Sequence, residues 1–152
     1  MKLNSFVGTY MSIFYIVVFV TTIASFSLSQ VYAEPIIYDD DYIIEKFATG
    51  LQYPTTMYFV GDDILVLEKN TGKVIRISDN GVLYNEPALD VPVIQDNEAG
   101  LLGIVYLSNH VYLSFTESLS GFDKRDRENA RNAVYQYDWN GEKLTNPILI
   151  KE

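Results

Sequence analysis

Between residues 55 and 78 the sequence repeats one pattern: a short run of β-branched and aromatic residues, closed by a turn signal. Residues 55–60 end at Gly61-Asp62-Asp63, residues 64–68 run on to Asn70-Thr71-Gly72, and residues 73–78 end at Asp79-Asn80-Gly81. Glycine and asparagine accept the positive φ that tight hairpin turns require. In the third run Val74, Arg76 and Ser78 alternate with Ile75 and Ile77, the period of a strand with two different faces. No stripe of 3.6-residue period competes with these signals. Successive short antiparallel strands imply an all-β chain: a sandwich, a barrel or a propeller.

The same reading extends along the chain. Residues 42–48 form a first candidate strand, ended by Thr49-Gly50. Pro87 and Pro92 bracket an irregular stretch over 83–96. An apolar run continues from Gly100 to Leu107, Ser108-Asn109-His110 reads as a short turn, and 111–117 alternates like a strand. Residues 118–130 are polar and of mixed charge, as in a surface loop. Residues 132–139 and 143–150 read as two strands around Asn140-Gly141, a strong hairpin dipeptide.

Composition removes several function classes. Hydrophobic residues make up 48% of the chain, too many for a disordered protein, and twelve tyrosines and eight phenylalanines favour strands. All 20 acids lie after residue 33, and only Lys2 of the 11 bases precedes them. A surface of that sign repels phosphate backbones, so nucleic acid is not an expected partner. The absence of cysteine excludes disulfides, thiolate metal sites and cysteine nucleophiles.

Residues 1–33 read as an export segment. Lys2 supplies the positive start, an apolar run follows over 11–28, and Val31-Tyr32-Ala33 offers a small residue before Glu34-Pro35. The segment is expected to be a helical signal peptide, or else a membrane anchor through 11–28. In both cases the remainder is exported, either secreted or held on the outer face of a membrane. Residues 34–42, with Asp39-Asp40-Asp41, read as an acidic linker. They lack the glycine and ligand spacing of a calcium-binding EF-hand loop.

Four motifs, in order, resemble the soluble quinoprotein glucose and aldose sugar dehydrogenases, also called the glucose/sorbosone dehydrogenase family. They are Gly50-Leu51-Gln52-Tyr53-Pro54-Thr55-Thr56-Met57, the run from Ile64 to Val74, Glu98-Ala99-Gly100-Leu101-Leu102-Gly103-Ile104, and Val111-Tyr112-Leu113-Ser114-Phe115-Thr116-Glu117. The resemblance covers residues 43–150. It implies a six-bladed β-propeller that holds pyrroloquinoline quinone (PQQ) with calcium beside it and oxidises the C1 hydroxyl of an aldose. It also implies a histidine base, a neighbouring Asp and an Arg, all of which lie in the family after the point where this sequence ends. One pocket position falls within it, Glu98, where a carboxylate can hydrogen-bond a sugar hydroxyl or a quinone oxygen. Its alternative reading is a solvated loop acid beside Asp96. His110, the only histidine, does not match the family's base.

A propeller blade takes about 40–50 residues. Residues 43–152 therefore suffice for the first two to three blades, not for a closed ring. The expectation is an N-terminal portion of a sugar dehydrogenase, inactive alone, binding neither PQQ nor calcium, and prone to self-association through open strand edges. The alternatives are a secreted, non-catalytic module that binds a sugar or a protein, and a small β-sandwich unrelated to the family.

Overall fold

The computed structural model describes residues 35–121 and 125–152. The expected export helix over 1–33 lies outside the described residues. Among those described, no helix is long and apolar enough to cross a membrane. Residues 35–44 belong to a unit separate from Glu45–Glu152. In it Asp39 makes an Asx turn: its carboxylate accepts from Asp41 N at 3.0 Å and its carbonyl from Tyr42 N at 3.2 Å.

Among the described residues every regular element is a strand: β1 (Pro54–Val60), β2 (Asp63–Glu68), β3 (Lys73–Ser78), β4 (Leu89–Asp90), β5 (Leu101–Leu107), β6 (His110–Ser118), β7 (Ala130–Trp139) and β8 (Leu144–Lys151). They form two four-stranded antiparallel meanders, β1-β2-β3-β4 and β5-β6-β7-β8. Both sheets and both apolar clusters lie within Glu45–Glu152, so this unit carries its own core.

Three expectations change. Residues 42–48 join no ladder, because among the described residues no strand lies beside them to bond them. Ala48 and Leu51 instead bury themselves on Ile64, Val66 and Ile77 of the first sheet. The irregular stretch over 83–96 contains β4, two residues long, which completes that sheet. His110 opens β6 and pairs with Leu107; the turn consists of Ser108 and Asn109, both at positive φ as a type I′ hairpin requires.

The alternation read from the sequence decides the packing. Leu65, Leu67 and Val74 point from the first sheet towards the second and are fully buried. Leu101, Leu113 and Val111 of the second sheet meet them, with Phe115 and Tyr137 completing the cluster. Burying each such side chain contributes about 1.5–3 kcal/mol. The two sheets are thus stacked face to face over one continuous core.

Tyr137 adds a pH dependence to that core. Burial, followed by the neighbouring Tyr135 and Glu117, pushes its hydroxyl well above the ordinary tyrosine value of 10.0. A group whose proton is held more tightly when folded contributes its full stability below its unfolded pKa and loses it as pH rises. Folding stability is therefore expected to fall above about pH 10, by at most a factor of about ten in the folding constant per pH unit for this group. Tyr137→Phe should make that fall shallower in urea titrations at successive alkaline pH values. An unchanged alkaline slope would remove Tyr137 as its source.

Candidate functional site

Strand direction brings three segments to one end of the second sheet. The connection over 91–100 enters β5 there, β6 ends and β7 begins there, and β8 finishes. Glu98 lies in the first of these segments, exposed, between two clefts. One, of about 450 Å³, is lined by Leu102, Ser114, Asn132, Val134 and Lys151. The other, of about 520 Å³, is lined by Ile94, Asp96, Thr116, Arg127 and Asn132. Polar groups supply most of the hydrogen-bonding capacity: Thr116 Oγ1 donates to Asn132 Oδ1 at 2.9 Å, leaving the Asn132 amide nitrogen as a further donor.

The Glu98 segment is held from both sides. Lys69, in the turn after β2, donates through Nζ to the Asn97 carbonyl, and its own carbonyl accepts from Leu101 N at 3.0 Å. Arg127, from the loop before β7, pairs with Asp96, whose carboxylate also accepts from Asn97 N at 2.7 Å. Thr55 Oγ1 on β1 donates to the Leu101 carbonyl at 3.1 Å, joining the first strands of the two sheets.

This crossing explains the glycines of the Gly-Leu-Leu-Gly string. A Cβ on Gly100, whose φ is +136°, would stand 2.6 Å from the Lys69 carbonyl oxygen. A Cβ on Gly103 would stand 2.4 Å from Ser114 Oγ. These glycines permit close approach of chain segments rather than mobility. The sequence alone assigns no site role to Lys69, Arg127, Thr116 or Asn132. Only the register, which sets Thr116 opposite Asn132, brings the latter pair together.

His110 lies at the far end of the same sheet, about seven residues of strand or 20–25 Å from the Glu98 segment. Its Nδ1 donates to Asp138 Oδ1 at 2.9 Å, and Asn146 Nδ2 donates to Asp138 Oδ2 at 2.8 Å. Those two donors, Asn146 first, hold the Asp138 carboxyl below the usual carboxylate range. The pair ties the β5–β6 hairpin to the β7–β8 hairpin and has no access to Glu98.

No family model matches the chain, and no curated protein matches it. Solved structures do. The PQQ-bound aldose sugar dehydrogenase of Streptomyces coelicolor is 24% identical with a TM-score of 0.55, covering 71% of this chain and 32% of its own. The fold is that of part of a sugar dehydrogenase structure. An oxidoreductase (glucose dehydrogenase) of Thermus thermophilus is 25% identical at the same TM-score, covering 69% and 30%. A further glucose dehydrogenase is 24% identical with a TM-score of 0.53, covering 67% and 30%. The chain spans about a third of the length of these sugar dehydrogenase structures.

Proposed function

We propose that the two sheets are adjoining blades of a propeller and that the chain is the N-terminal part of a PQQ-dependent sugar dehydrogenase acting on an aldose. The observation that carries this reading is the match of 71% of a chain that forms two four-stranded sheets to about a third of an enzyme solved with PQQ bound.

Within that reading Glu98 faces the ligand. Its exposed carboxylate accepts hydrogen bonds, and Asn132 donates, which suits the hydroxyls of a sugar. The quinone fits less well against this chain alone. PQQ carries carboxylates, whereas the site presents Glu98 and Asp96; the cations Lys69 and Arg127 are already used to hold the loop, which leaves Lys151 beside the first cleft. Among the described residues no cluster of three His, Cys, Asp or Glu could hold a calcium ion. The residues here would therefore contribute one wall of a sugar pocket. When bound, PQQ would supply the hydride acceptor, and the groups that hold it belong to other blades.

Dehydrogenation also needs a base at the sugar hydroxyl. The only histidine, His110, is at the opposite end of its sheet and already bonded to Asp138. On this reading the chain on its own is inactive. The nucleotides downstream of the codon for Glu152 are expected to encode a sheet bearing a histidine. Sequencing that finds no such segment would overturn the fragment reading.

A further inference from the structure

Each sheet has two faces; one face of each packs against the other sheet, and among the described residues the opposite faces are covered only in part, with Ile64, Val66 and Ile77 buried on the first. The outer face of the first sheet presents Met57, Phe59, Ile64, Val66, Ile75 and Ile77. Ala48, Leu51 and Leu83 cover part of it, but Met57 and Phe59 remain 53% and 64% exposed beside a cleft of about 550 Å³ under Phe47. The outer face of the second sheet presents Leu102, Val105, Leu107, Tyr112, Val134 and Ile148. Leu107 is 60% exposed and Val105 49%.

These two faces lie on opposite sides of the stack and cannot meet within one molecule. Strand by strand, they are also the counterparts of the faces that do pack together inside the chain. Met57 and Phe59 on β1 occupy the positions that Ile104 and Tyr106 occupy on β5, and Val105 and Leu107 on β5 those of Tyr58 and Val60 on β1. A second copy therefore offers the kind of surface to which each outer face is matched.

We propose that, where no further sheets are attached, this chain associates head to tail with copies of itself through these two unlike faces, and that three copies close a ring. An unlike-face contact repeats at every copy and closes when the rotation per copy allows it. One copy corresponds to about a third of a complete sugar dehydrogenase chain, so three copies supply a full circuit of sheets. Of the four strand edges, those of β4 and β8 are poorer templates. The edge strand β4 has two residues, and β8 carries Asn146 at positive φ followed by Pro147, which has no N–H to donate. The inference rests on sheet packing and not on Glu98 itself. Because assembly would cover Leu102 and Val134 beside Glu98, sugar binding is read on the monomeric Phe59→Asp variant and ring assembly on the unaltered chain, so the two can fail separately.

Sedimentation equilibrium of residues 34–152, which contain the whole of the Glu45–Glu152 unit, tests it. The expected result is a concentration-dependent species of three times the monomer mass. Phe59→Asp and Val105→Asp each spoil one of the two faces, at exposed positions where folding, checked by circular dichroism, should persist. Each variant alone should be monomeric, while an equal mixture should give a dimer of one copy of each, since one intact pair of faces remains. A wild-type monomer at all concentrations would overturn the proposal. So would a mixture that behaves as the separate variants do, which is the signature of like-face or edge pairing.

Discussion

Replacing Gly72 with alanine is expected to lower the thermal midpoint of residues 34–152 by roughly 15–25 °C. Gly72 closes the β2–β3 hairpin at φ +80°, where a residue with a Cβ costs about 1–2 kcal/mol. The larger cost comes from what lies against it. An added Cβ would sit 2.1 Å from the Val91 carbonyl oxygen, and Val91 N donates to the Gly72 carbonyl at 3.0 Å. The obstacle is backbone tied by its own hydrogen bond, so it cannot swing aside as a side-chain tip would. Displacing it disturbs Val91 and Val93, both in the main core, for a total of about 3–4 kcal/mol. Gly61→Ala is the control. Its φ is +63° with nothing within 4 Å of the added Cβ, so only the conformational cost of about 1–2 kcal/mol applies. Equal losses from the two substitutions would show that the close approach at Val91 is absent.

Glu68 carries the second large effect. It is the last residue of β2 and only 4% exposed. Gln52 N donates to its Oε1 at 2.6 Å and Thr71 Oγ1 to its Oε2 at 2.7 Å. One carboxylate thus fastens the turn before β1 to the turn after β2, and with it the start of the first sheet. Glu68→Ala leaves two donors without their acceptor and opens a cavity, with an expected loss of about 3–4 kcal/mol. Glu68→Gln keeps one acceptor oxygen and most of the volume, and should lose about 1–2 kcal/mol. Urea midpoints for the two variants check the order. Alanine no worse than glutamine would mean that the carboxylate holds neither donor.

The legible part of the fold was the part governed by local rules. The alternation of Val74, Ile75, Arg76 and Ile77 placed β3 at its observed bounds, and the turn dipeptides placed the hairpins between β1, β2 and β3 and between β7 and β8. Residues 42–48 form no strand because β propensity expresses itself only beside a partner strand; of their apolar residues Ala48 packs on a sheet face, while Tyr42, Ile43, Ile44 and Phe47 stay exposed. β4 was hidden because two residues between prolines carry no period. Glu98 is a candidate through the resemblance of its motif, not through any physical signature of its own. Lys69 and Arg127 were out of reach, since their partners Asn97 and Asp96 are distant in sequence and joined only by folding. The roles of Gly72 and Gly100 likewise depend on a second segment crossing close by, which no local pattern announces.

The most direct measurement is a dye-reduction assay on residues 34–152 supplied with PQQ, calcium ions and glucose or another aldose. Two sheets with Glu98 at one end and a lone histidine at the other should give no reduction above that of PQQ alone, whether monomeric or assembled. Sugar-dependent reduction that scales with protein concentration and is lost in Glu98→Ala would place a complete catalytic centre within these residues and contradict the part-enzyme reading.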